Sequence, residues 1–286
     1  MEASDRTGKI EIALRVGVFA FLSLAAMILI STTILTITGA YVVAATLGSF
    51  GGGIVGNVLA LRIYEGRGNF HLIGLGWDSA SWRNLWIGVA GGAGAALLVL
   101  VPPLLVGAAE LRRSAENPGS AGQIAFVTVV LMFGAVGEEL LFRGYGFQKL
   151  VAYLGPFATI LPVGVLFGAA HSNNANATAL GLVNTVGWGI LLGYAFLRSG
   201  DLWLPIGLHY GWNVVLPMFG ANLSGFTMGV TGYAMHWKAG DLWSGGAYGP
   251  EGSLLTLFVL ALLVLFLEKA PLKPQMPPLL AASREV

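Results

Sequence analysis

Residues 16–61 and 150–197 contain no Asp, Glu, Lys or Arg, and uncharged stretches of that length leave a chain few ways to fold. In hydrocarbon every backbone N–H and C=O must find its partner inside the segment, so about 20 apolar residues cross a bilayer as a helix. Each stretch is long enough for two such helices. Across the 286 residues, 56% are hydrophobic and 10% charged, against roughly 25% charged in a soluble domain. The expectation is an all-α, polytopic membrane helix bundle, a single domain (1–286) that is multi-pass in the cell membrane.

Charges mark the ends of about eight transmembrane helices. Two lie between Arg15 and Arg62 and meet near Thr38 and Gly39; a third runs from Asn84 to Ala109. The fourth opens after Gly122 and is read as a long helix whose Lys149 end protrudes. A turn at Gly155 and Pro156 opens the fifth, the sixth ends before Arg198, the seventh follows Asp201, and the eighth covers Leu254 to Leu267. On this segmentation one side carries 12 Lys and Arg and the other 3, which makes both termini cytoplasmic. The first helix lacks a small-residue cleavage pattern and is expected to stay in the protein. Loops 109–122 and 221–252 stand out for charge and for glycine with Trp237, Trp243 and Tyr248, and the Pro-rich tail 271–286 is expected to be extended and mobile.

Small residues four apart, at Gly52 and Gly56, Gly88 and Gly92, Gly164 and Gly168, Gly189 and Gly193, and Gly207 and Gly211, permit close helix approach in lipid. Gly51 to Gly56 matches G-x-G-x-x-G, but a dinucleotide site needs a strand, a turn and a helix, so the match is accidental. A net charge of +1 gives no basic face for nucleic acid. The absence of cysteine removes disulfides, thiolate ligands and a thiol nucleophile.

Within this apolar chain stand Glu138, Glu139 and Arg143. Charges inside a span cost about 2.5–3.5 kcal/mol each and mark function by default; the competing reading is a solvated cap at the helix end. On a helix Glu139 and Arg143 share a face, whereas Glu138 points about 100° away. Arg143 therefore supports Glu139, and Glu138 is left desolvated without a local partner, a setting that suits a general base. His171 answers it across the Gly155 and Pro156 hairpin, each about 22–26 Å along its helix from the turn. His209 and Asn213, one helical turn apart, add two hydrogen-bond donors; interhelical polar glue is their bland alternative. His71 and His236 lie in loops and are expected to be idle.

A base, a histidine and a donor pair are the parts needed to hydrolyse an amide: Glu138 with His171 to polarise water, His209 and Asn213 to hold the oxyanion. No cofactor is favoured; the rival assignment makes Glu138, His171 and His209 the ligands of a zinc ion with an open fourth position, although the H-E-x-x-H helix of many zinc proteases is missing. A non-enzymatic transporter, scaffold or immunity protein would use the same cluster for binding.

At these residues the chain resembles the CAAX prenyl protease and bacteriocin-processing (CPBP, or Abi) family of intramembrane endopeptidases. The family's E-E-x-x-x-R is Glu138, Glu139 and Arg143, its F-x-x-x-H is Phe167 and His171, and its H-x-x-x-N is His209 and Asn213. The resemblance covers about residues 120–220. It implies cleavage of a membrane-associated or prenylated peptide in contact with lipid, with the first Glu and first His activating water and the second His and the Asn forming the oxyanion hole. It also implies either a metal-free glutamate mechanism or, on older descriptions, a metalloprotease.

Overall fold

The computed structural model describes residues 2–114 and 118–281. The chain runs through α1 (Glu2–Thr38), α2 (Tyr41–Glu65), α3 (Ser79–Leu105), α4 (Ala121–Arg143), α5 (Tyr145–Leu154), α6 (Pro156–Ala170), α7 (Ala179–Ser199) and α8 (Trp203–Met218). It ends with a single turn α9 (Asp241–Ser244), α10 (Leu254–Lys269) and α11 (Pro278–Ala281). Gly39, at φ +66°, makes the turn between α1 and α2 where the sequence puts it. Side-chain caps start the later helices: Asp78 accepts from the Ala80 and Ser81 N–H groups, Ser120 from Gln123, Thr178 from Gly181 and Ser253 from Thr256.

Among the described residues, five helical stretches are long and apolar enough to cross a bilayer: Gly8–Thr38, Tyr41–Glu65, Ser79–Leu105, Ala121–Leu154 and Ala179–Ser199. The chain is an all-α, polytopic membrane helix bundle. Helices α6, α8 and α10 have 15, 16 and 16 residues, about 22–24 Å at 1.5 Å per residue, short of a hydrocarbon core of about 30 Å. Helices therefore stand at all eight expected places, three of them shorter than a full crossing. Helix α6 stops on His171, which lines an internal cavity rather than the outer surface.

Glycines set the closest contacts. A Cβ on Gly88 would lie 3.0 Å from Gly207 Cα, and one on Gly92 would lie 2.8 Å from the Trp212 nitrogen, so α3 and α8 meet backbone to backbone. The G-x-G-x-x-G match lies wholly inside α2, as an accidental match would.

Three features depart from the sequence reading. The long fourth helix is broken at Gly144, whose ψ of −145° is not helical, and the chain restarts as α5. Asn57 of α2 bridges the break, accepting from the Tyr145 N–H (2.8 Å) and donating to the Leu140 carbonyl (2.9 Å), while Gln148 donates to the freed Arg143 carbonyl (3.0 Å). Side chains thus replace the lost ladder bonds. Lys149 does not simply protrude: it pairs with Glu65 (2.9 Å), which also binds Arg15 (3.1 Å) and the Tyr145 hydroxyl (3.0 Å).

The second departure joins the two prominent loops. Strand β1 (Ala109–Arg113) pairs antiparallel with β2 (Tyr233–Trp237), Ala109 opposite Trp237 and Arg113 opposite Tyr233. The third concerns the tail. It is extended over 271–277, but it is tied down where a mobile segment was expected. Gln275 donates to Asp201 (3.0 Å) and its N–H to the Ser199 carbonyl (2.6 Å). The Lys273 N–H donates to Asn84 (3.0 Å), and Leu279 is buried. Asp201 is itself buried, accepting from Asn84 (2.6 Å) and from the Leu204 N–H (3.1 Å) at the start of α8. Residues 282–286 of the expected tail lie outside the described residues.

Replacing Gly92 with Leu should destabilise the bundle by about 2–3 kcal/mol, because the added side chain has no space short of parting α3 from α8. The denaturation midpoint in detergent checks this, and an unchanged midpoint would contradict the backbone contact.

Candidate active site

A cavity of about 670 Å³ opens between α1, α2, α4, α6, α7 and α8. Its wall on the α1 and α2 side is largely apolar, with Phe19, Leu24, Met27 and Val42. The opposite wall carries Glu138, His171, His209 and Asn213. All four residues read from the sequence as reacting groups therefore face one space. Neither His71 nor His236 lines it.

The two adjacent acids diverge as helical geometry requires. The Glu138 side chain is 28% exposed and faces the cavity, whereas Glu139 is fully buried. Arg143, also fully buried, donates to Glu139 Oε1 at 3.1 Å and to the Gly189 carbonyl of α7 at 2.7 Å. Its guanidinium sits 4.9 Å from the centroid of the Phe167 ring, which in turn lies 4.7 Å from the His171 ring. The same Glu139 Oε1 also accepts from His209 Nδ1 at 2.9 Å. Sequence spacing found the Glu139 and Arg143 pair but not this third partner, because α8 lies 70 residues further along.

Two histidines converge on one carboxylate oxygen. His171 Nε2 and His209 Nε2 each lie 3.7 Å from Glu138 Oε2, too far for a direct hydrogen bond, and that oxygen is buried with no partner among the described residues. Acceptors fix the ring protons. The Phe167 carbonyl, 2.8 Å from His171 Nδ1, can only accept, so Nδ1 carries hydrogen and Nε2 turns its lone pair to the cavity when the ring is neutral. His209 Nδ1 donates to Glu139 on the same grounds. The similar depth expected for Glu138 and His171 is what this geometry requires of a hairpin about Gly155.

Donor chemistry suits zinc, since Glu138 Oε2 is unpartnered and both Nε2 atoms face it. Their spacing does not: among the described residues no group of three His, Cys, Asp or Glu side chains is arranged as a metal site.

One acid in the cavity escaped the sequence reading. Glu251, in the loop before α10, is buried and lines the same space. Its Oε1 accepts from Trp212 Nε1 (3.2 Å), and its Oε2 from both the backbone N–H and the hydroxyl of Ser224. Burial pushes the Glu251 carboxyl above the usual carboxylate range, against the lowering effect of the Ser224 and Trp212 hydrogen bonds. A single acid in a Gly-rich loop offers no periodicity, so only its position three residues before an apolar helix could have drawn notice.

Arg143→Met should leave Glu139 as an uncompensated buried charge and cost about 3–5 kcal/mol. The double variant Glu139→Leu with Arg143→Met should recover much of that loss. Unfolding midpoints of the singles and the double form the check, and strict additivity would contradict a coupled pair.

Residues 120–215, about a third of the chain and nearly the segment carrying the three motifs, match the family model described as Type II CAAX prenyl endopeptidase Rce1-like. A search of curated proteins finds no match. Over that segment, and over no more of its length than that, the chain is similar to the type II CAAX prenyl endopeptidases.

Proposed function

We propose that this protein is an intramembrane endopeptidase that hydrolyses a peptide bond near the C-terminus of a membrane-associated or prenylated peptide. Its proposed setting is the cell membrane, crossed eight times with cytoplasmic termini. The observation that carries the reading is the convergence of His171 and His209 on Glu138 Oε2, 3.7 Å from each, in a cavity with one apolar wall. Such a space can take a lipid-modified segment on one side while a polar bond meets polar groups on the other.

A water between Glu138 and His171 would donate one hydrogen to the carboxylate and the other to His171 Nε2. Glu138 takes a proton as the water oxygen bonds to the scissile carbonyl carbon. The carbonyl π electrons move to oxygen, and that oxyanion is held by His209 Nε2–H and the Asn213 amide. Donation from Nε2 while Nδ1 is bound to Glu139 requires the imidazolium form of His209. Collapse of the tetrahedral intermediate breaks the C–N bond, and Glu138 returns its proton to the leaving amine. Glu139, Arg143 and the Gly189 carbonyl hold the His209 ring at its angle, so their role is positioning.

Glu138→Gln and His171→Ala should each lower kcat on a prenylated peptide by about 10²–10⁴-fold while the purified protein keeps its unfolding midpoint. His209→Ala and Asn213→Ala should each cost about 10²–10³-fold, mainly in kcat. Turnover close to that of the unmutated protein in the Glu138 variant would sink the mechanism. Activity should persist through exhaustive chelation; its loss, with recovery on adding zinc, would shift the assignment to Glu138, His171 and His209 as ligands.

A further inference from the structure

The loop between α8 and α10 closes one end of the cavity with a tight turn, and the turn is held in a costly shape. Ser224 adopts φ +50°, a left-handed conformation that few residues other than glycine take up, and Gly225 follows at φ +85°. What holds Ser224 there is Glu251, whose carboxylate accepts from both its backbone N–H and its hydroxyl. Both bonds end on one oxygen of a buried side chain, so releasing the turn would leave that acceptor without partners, a costly outcome.

The turn is wedged on every side. Leu223 and Phe226 close it by mutual backbone hydrogen bonds of 3.0 and 2.9 Å, and the Gly225 N–H donates to the Tyr248 carbonyl at 2.8 Å. A Cβ on Gly225 would overlap the Ala175 carbonyl, four residues beyond His171. Phe226 stacks on Tyr41 at the start of α2, ring centroids 5.5 Å apart at 27°. The turn thus spans from the loop after His171 to the far wall, and Leu223, Ser224 and Phe226 all line the cavity.

We infer that Glu251 is a specificity-determining residue: by fixing the 223–226 turn it builds an end wall that limits how many residues a peptide can extend past the scissile bond on that side. This rests on the hydrolase reading, whereas the wall itself does not. A broad, preformed cavity would otherwise accept long segments. Glu251 therefore sets substrate length through Ser224, and Phe226 anchors the far edge of the wall on Tyr41.

Two measurements test it on the full-length protein in lipid nanodiscs. The chain has no cysteine, so Thr185→Cys gives a single thiol on the α7 wall of the cavity. Added to that background, Glu251→Ala should raise the labelling rate by a membrane-impermeant maleimide about tenfold, the scale of losing one or two hydrogen bonds, and Phe226→Ala, which removes the stacking on Tyr41, should raise it by about threefold to tenfold. Glu251→Gln, which keeps an acceptor for Ser224, should fall between. In the second measurement, prenylated peptides are lengthened by two to four residues at either end. The ratio of kcat/KM for the long over the short peptide should rise in Glu251→Ala and in Phe226→Ala, through KM. Should Glu251→Ala fail to fold, Phe226→Ala decides alone. Unchanged labelling overturns the wall, and faster labelling with an unchanged length ratio overturns the role in specificity. A protein that cleaves no peptide of either length, yet labels faster in the variants, overturns the hydrolase reading and leaves the wall standing.

Discussion

Glu139 is the point on which the polar half of this protein turns. A carboxylate at that depth is expensive unless its lone pairs are taken up, and here a single oxygen accepts from Arg143 and His209. Arg143 in turn reaches the Gly189 carbonyl. One buried charge thereby ties α4, α7 and α8 together and sets the angle of the His209 ring. Glu138, one residue earlier, points away from this cluster and faces the cavity, while both terminal nitrogens of Arg143 are held by Glu139 and the Gly189 carbonyl. The two acids of the motif divide the work between holding the bundle and facing the cavity.

The glycine contact between α3 and α8 belongs to the same logic. His209 lies between Gly207 and Gly211, which bring the backbone of α8 against α3. Side-chain volume is removed where helices must touch, and polar groups are kept for the face turned to the cavity. In lipid, where apolar contact alone discriminates poorly between partners, such close fits and internal hydrogen bonds do most of the specifying.

Much of this was legible in the residues because membrane helices announce themselves by length and absence of charge. Eight apolar helices, the turn at Gly39, the shared face of Glu139 and Arg143, and the common depth of Glu138 and His171 all follow from local periodicity. What was illegible depends on partners distant in sequence. Nothing near Gly144 reveals that Asn57 will bridge a break there, since the run Gly144 to Phe147 reads as continuing the helix. Pairing of β1 with β2 joins segments more than a hundred residues apart, and no alternation pattern marks either strand. Glu251 and the tied tail were misread or missed for the same reason: loops take their conformation from what they land on. The roles proposed for Glu138, His171, His209 and Asn213 rest on chemistry and resemblance, and geometry adds that all four line one cavity.

The tied tail carries a consequence for biogenesis. Asp201 and Asn84, which brace the start of α8 against α3, receive hydrogen bonds from Gln275 and Lys273. The beginning of α8 is therefore finished by a strap synthesised some seventy residues later, beyond α10. Until those residues are made, Asp201 can have Asn84 and the Leu204 N–H as partners but lacks the Gln275 amide, so the α3–α8 junction stays one donor short.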